Sequence, residues 1–155
     1  MLYEPDPEIF RRALAYGIHG DDRQALLLLD PIVNAGPRHT YGLLLSLAEV
    51  ASKPARDATP PGQGFFIEVD GPDGEPASID VLPPPLRFAL RFMAAYANRD
   101  AAMTYAVFMS VGDPAVNDGP QAFADCIRAL YRLAVKAAGE QLAAARAAKT
   151  TPQGQ

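Results

Sequence analysis

The chain has 155 residues, 14 Lys+Arg against 18 Asp+Glu and a formal net charge of −4, with 49% hydrophobic residues, 15 prolines, one cysteine and no tryptophan. That length suffices for one domain with a buried core. The lone Cys126 excludes an internal disulfide and, with His19 and His39 the sole histidines, leaves little from which to build a zinc site. The acidic balance argues against general nucleic-acid coating, which needs a basic excess.

The first eight residues, Met-Leu-Tyr-Glu-Pro-Asp-Pro-Glu, are acidic and proline-bearing where a secretory leader has a basic start and an apolar run. The greasiest stretch, Ala25 to Leu29, stops at Asp30 and is too short for a bilayer of about 30 Å. The expectation is a cytoplasmic protein with no membrane contact, no cofactor and a frayed tail over residues 149–155.

Punctuation by Pro and Gly predicts an all-α fold of about six helices in two antiparallel sets, with one β-hairpin between them, forming a single helical domain over 1–148. Residues 5–52 make the first set. Asp6 caps a helix opened by Pro7, with Ile9, Ala13, Leu14 and Tyr16 on it before Gly17 and Gly20. Asp21 caps a second helix through Ala25, Leu29, Ile32 and Val33, ending at Asn34-Ala35-Gly36. A third helix runs from about Arg38 to Ser52. Residues 53–63 read as an exposed linker.

The segments Phe65–Val69 and Ala77–Val81 have strand composition, and Asp70-Gly71-Pro72-Asp73-Gly74-Glu75 between them is dense in turn residues, so a hairpin is predicted over about 65–81. The second helical set covers 84–148. Leu86, Leu90, Met93 and Ala97 form one face of its first helix, and Asp100 caps the next, which runs through Thr104, Phe108 and Val111. Gly112-Asp113-Pro114 ends that helix. Asp118 and Pro120 then open a long one striped by Phe123, Ile127, Leu130, Ala134 and Ala137.

The two sets share a plan: helix, Asp-capped turn, helix, Gly/Pro loop, helix. Aligning Tyr16 with Tyr96 also pairs Arg11 with Arg91 and Ala15 with Ala95, but leaves Asp21 and Asp100 one residue out of step. Tyr16, Gly20, Ala25, Leu29 and Pro37 fall where a tetratricopeptide repeat places an aromatic, a turn glycine, a small residue, a bulky one and the closing proline. Residues 9–39 thus resemble one such unit, although Arg12 and Ile32 depart from it. Arrays of that kind need about three units, so the resemblance implies shared αα-hairpin packing and not membership.

Leucine is in excess for a surface helix. Leu26, Leu27, Leu28 and Leu29 point in every direction at about 100° per residue, and Leu43, Leu44, Leu45 and Leu47 nearly do so. Leu27, Leu28, Leu43 and Leu45 are therefore the expected contacts of a homodimer.

Sites of chemistry are hard to find. His19-Gly20-Asp21-Asp22 has base or ligand chemistry but lies in a tight turn in which Asp21 caps a helix. Asp70, Asp73, Glu75 and Asp80 lack calcium-loop spacing. Cys126 sits on an apolar helix side as a packing residue, and no phosphate loop or nucleophile elbow is present. Two patterns keep alternatives open. Arg128, Arg132 and Lys136, every fourth residue, could meet phosphates of a nucleic acid, and Phe92, Tyr96, Tyr105 and Phe108 could line a small-molecule pocket. The leading expectation is a non-catalytic protein-interaction or scaffold protein that self-associates, with another protein as a possible partner.

Overall fold

The computed structural model describes residues 2–111 and 120–150. It is all-α with a small hairpin insert: α1 (Pro7–Ile18), α2 (Asp22–Asn34), α3 (Pro37–Ala58), β1 (Val69–Asp70), β2 (Pro76–Ala77), a 3-10 turn at Ile79–Val81, α4 (Pro84–Ala97), α5 (Ala101–Ser110) and α6 (Pro120–Thr150). The expected break at Gly112-Asp113-Pro114 and cap at Asp118 lie outside the described residues. Of the expected frayed tail, Lys149 and Thr150 belong to α6 and the remainder lies outside the described residues.

The predicted caps are in place. Asp6 accepts from the Glu8 and Ile9 amides at 2.8 and 3.3 Å, and the Asp21 carboxylate accepts from Gln24 N at 3.2 Å. Each satisfies donors that a helix start leaves open. Pro37 opens α3, and Thr40 Oγ1 donates to Gly36 O and Val33 O, tying that helix to the end of α2.

Two boundaries differ from the sequence expectation. The linker predicted over 53–63 is helical as far as Ala58. Pro54 costs one backbone bond, but the Arg56 side chain reaches back to Glu49 O and to Ser52 Oγ, both at 2.9 Å, and holds the turn together. The hairpin is much shorter than 65–81. Its ladder consists of Val69 opposite Ala77 and Asp70 opposite Pro76, closed by Gly71 N donating to Glu75 O at 2.7 Å. Pro76 has no N–H to extend the ladder, and Ser78 Oγ accepts from Asp80 N, winding Ile79–Val81 into a 3-10 turn. Upstream, the backbone of Phe65 pairs with the Asn98 side-chain amide instead of a strand, donating from N to Oδ1 at 2.6 Å and accepting from Nδ2 at 2.9 Å.

Helix α3 is the hub, packed on α2, α4 and α6, while α6 also crosses α1 and α4. Thr40, Leu43, Leu44, Leu47, Ala48 and Ser52 of α3 are buried against Phe88, Ala89 and Phe92 of α4 and Cys126, Ile127, Leu130, Tyr131 and Ala134 of α6. Three of the four encircling leucines of α3, Leu43, Leu44 and Leu47, are thus absorbed within one protomer, because helices stand on three of its sides. This corrects one expected dimer contact: Leu43 is fully buried.

Helix α1 meets α6 through a polar anchor. The buried Tyr131 hydroxyl donates to Ala13 O at 2.8 Å. Burial, with the Asp22 and Asp21 charges behind it, pushes its pKa up to about 12, so it remains a donor. Gly17 makes the approach possible, since a Cβ there would stand 2.5 Å from Val135 Cγ2 and closer still to the Tyr131 hydroxyl. Gly17→Ala is expected to be destabilising by about 1 kcal/mol, with overpacking of about 1–3 kcal/mol outweighing the gain of about 1 kcal/mol in helix propensity. Urea unfolding checks the sign; a more stable variant would show that the two helices have room to part.

Candidate interaction surface

The α1–α2 and α4–α5 turns are built alike. Residues Gly20 and Arg99 each adopt positive φ, +84° and +59°. Behind them Asp21 N donates to Tyr16 O and Asp100 N to Ala95 O, five residues back, and each Asp then caps the following helix. The two hairpins therefore match at a spacing of 79 residues. On that register the buried Ala25, Leu29 and Ile32 of α2 correspond to the buried Thr104, Phe108 and Val111 in and just after α5. Tyr16 corresponds to Ala95, so Tyr16 and Tyr96 are not equivalent, and the earlier misfit of the aspartates came from aligning the tyrosines.

The same register exposes a difference. The outward positions of α2 hold Arg23, Gln24, Leu27 and Asp30; the matching positions of α5 hold Ala102, Met103, Ala106 and Met109. Helix α5, AAMTYAVFMS, contains no charged residue. Its inner side packs Thr104 and Phe108, while Met103, Tyr105 and Met109 are 52%, 52% and 54% exposed. Since α2 shows that this structural position accommodates a polar face, the apolar exterior of α5 is not imposed by the fold.

Hollows flank α5 on both sides. One, of about 330 Å³, is the groove between α4 and α5, lined by Arg87, Phe88, Arg91, Met103, Ala106 and Val107, with Pro84 and Ser110 at its ends. The other, of about 240 Å³, lies toward α3 and the N-terminal strand of chain, with Leu2, Tyr41, Leu45, Tyr96, Arg99 and Thr104 among its walls. Leu2 is exposed there, so apolar surface continues from α5 across this second hollow.

The four aromatic pocket candidates do not converge on one cavity. Phe92 is fully buried and Phe108 nearly so, both as core residues. Tyr96 borders the α3-side hollow, and Tyr105 stands outside, edge-on to Tyr41 at 5.7 Å. What joins three of them is Tyr41, whose ring also meets Phe92 at 6.2 Å and Phe108 at 4.9 Å. Sequence reasoning missed Tyr41 because it lies in the leucine-rich helix, where only the leucines were counted.

A polar network borders the same hollow. The Tyr96 hydroxyl donates to Glu49, whose other oxygen meets Arg56 at 2.9 Å, and the Arg99 guanidinium lies 5.3 Å over the Tyr96 ring. Burial pushes the Glu49 carboxyl up, but the Tyr96 and Arg56 bonds and the Arg56 and Arg99 charges outweigh it and leave its pKa below the usual value. The Glu49 contribution to stability is present at neutral pH and withdrawn as pH falls through that lowered value. Burial and the Glu49 carboxylate hold the Tyr96 phenol protonated.

The other expected contacts are scattered. Leu27 of α2 is exposed, Leu28 is half-buried, and Leu45 faces the α3-side hollow, so with Leu43 enclosed the four leucines do not make one surface. In the basic row, Arg132 Nε stands 3.7 Å from Asp22 of α2, Arg128 is half-buried and Lys136 is exposed.

The remaining polar candidates have structural duties. Asp22 is engaged by Arg132, Asp21 caps α2, and the His39 ring packs tilted against Tyr3 with centroids 4.1 Å apart. Asp73 accepts from Glu75 N within the hairpin turn, and Asp80 pairs with Arg91. Burial, assisted by Asp125, pushes the Cys126 thiol up to about 11, which keeps it protonated. Among the described residues no three His, Cys, Asp or Glu side chains stand together as a metal site, and no helix is long and apolar enough to cross a membrane. Comparison with protein-family models, curated proteins and solved structures finds no match to the chain.

Proposed function

We propose that the chain is a non-catalytic protein-interaction module that self-associates, and that the contact is the outer face of α5 and not the leucines of α2 and α3. The observation carrying this reading is the contrast between equivalent helices: charged Arg23 and Asp30 on α2 against Ala102 and Met109 on α5.

A second copy is the occupant that suits this face. Two α5 helices related by a two-fold axis bring together helices that carry no charged residue, so no charge of α5 loses its water unpaired. Ala102 lets the backbones approach, and Tyr105 and Met109 fill the flanks. A helix of ten residues is about 15 Å long, less than the roughly 800 Å² per partner of a standard interface needs. The apolar surface that continues over Tyr105 to Leu2 supplies the remainder.

Sedimentation velocity at micromolar concentration tests the proposal. The unaltered chain is expected to sediment as a dimer. Met109→Asp, which places on α5 the residue type α2 carries at the matching site, is expected to weaken the dimer at least about tenfold through an unpaired buried carboxylate. A monomeric parent chain, or a dimer indifferent to Met109→Asp, would overturn it.

A further inference from the structure

The groove between α4 and α5 differs in kind from the α5 outer face. Its floor is apolar, formed by Phe88, Met103, Ala106 and Val107, while the charged residues that line it, among the described residues, are two arginines one helical turn apart, Arg87 and Arg91. Both are held by the 3-10 turn before α4: the Arg91 guanidinium pairs with the Asp80 carboxylate, and Arg87 Nη1 donates to Asp80 O at 3.3 Å. Asp80 therefore fixes the two guanidinium groups beside the groove, which reduces the entropy lost when a further acceptor arrives. The groove runs from Pro84 to Arg91 along α4, about 10 Å at 1.5 Å per residue, the length of two helical turns.

We infer that this groove receives a short amphipathic helix of a partner protein that is acidic on its flank. Apolar side chains one turn apart on that helix rest on Phe88, Met103 and Val107, and its carboxylates meet Arg87 and Arg91. An apolar trough whose edge carries two guanidinium groups against the single Asp80 carboxylate keeps a net positive charge, and such charge beside an apolar floor is how helix-in-groove recognition fixes orientation. Arginine suits the task, since its planar fork can bind the Asp80 side and still present N–H groups to a partner carboxylate. A second copy of this chain is a poorer fit to the groove than to the α5 exterior. Helix α1 carries its lone carboxylate, Glu8, in an ion pair with Arg11, and exposed Asp30 of α2 is followed by Pro31.

The experiment uses two synthetic helical peptides with the same leucine stripe, one flanked by glutamates and one by lysines. Binding is read by fluorescence polarisation and by the methyl NMR signals of Met103, Ala106 and Val107. The glutamate peptide is expected to shift those signals and to bind about tenfold more weakly to the Arg87→Glu/Arg91→Glu variant. The lysine peptide is expected to show the reverse preference. Arg87→Gln/Arg91→Gln, a milder change at half-buried Arg87 and exposed Arg91, provides an intermediate if charge reversal disturbs the Asp80 turn.

Equal binding of the two peptides, shifts confined to other residues, or indifference to both variants would sink the inference. Loss of the dimer in the arginine variants would overturn it as well, by placing a second copy in the groove. Met109→Asp leaves the groove lining intact and is expected to retain peptide binding, so failure of the self-association proposal and failure of this one give different results.

Discussion

Phe92→Ala is expected to cost about 3–5 kcal/mol of folding stability, the range for removing a buried aromatic ring. Phe92 is fully buried, packed at 5.8 Å against Phe88 and edge-on at 6.2 Å to Tyr41. Truncation leaves a cavity where α3 and α4 meet, and these helices lie at the centre of the bundle and cannot close the gap without moving other packed elements. A single domain has a total stability of about 5–15 kcal/mol, so the variant should unfold at a much lower urea midpoint with an unchanged slope. A variant of near-parental stability would instead mean that Phe92 borders open space, as the sequence expectation of an aromatic pocket had it.

Leu43→Ala and Leu27→Ala form a matched pair with opposite outcomes. Both leucines were expected dimer contacts, yet Leu43 is fully buried and Leu27 is 55% exposed. Truncating Leu43 is expected to cost about 2–5 kcal/mol, combining lost burial with a cavity in α3. Truncating Leu27 should change stability by no more than about 0.5 kcal/mol, and it should leave the sedimentation profile unaltered because α5 carries the proposed contact. Thermal melts and sedimentation on the two variants separate the cases. A sharp loss of dimer in Leu27→Ala with the fold intact would move the interface to α2.

These residues show which parts of the molecule the sequence exposes to reasoning. Helix ends were legible because caps are local: Asp6, Asp21 and Asp100 each bond an amide two or three residues ahead. The length of α3 was not. Its continuation past Pro54 depends on Arg56 turning back to Glu49 and Ser52, a side-chain choice that a proline-based rule ignores. The first strand failed for a non-local reason, since the backbone of Phe65 found its partner in Asn98, 33 residues away.

The leucine count failed by geometry. A helix surrounded by α2, α4 and α6 can be apolar on nearly every side without a second chain, and no single-helix pattern reveals how many neighbours it will have. The signal that did survive was the charge-free sequence of α5. Comparing α5 with α2 at the correct 79-residue spacing, anchored on Asp21 and Asp100 and not on the tyrosines, would have found it.

The position of α6 bears on how the chain acquires its fold during synthesis. This helix, the last described element, covers α1, α3 and α4, so Leu44, Leu47 and Phe92 have no lid until residues around Leu130 and Tyr131 have left the ribosome. The nascent N-terminal two-thirds must wait with greasy side chains bare, the condition in which chaperones capture growing polypeptides. Chains interrupted before α6 are accordingly expected to be cleared by proteolysis and not to accumulate as a smaller folded protein.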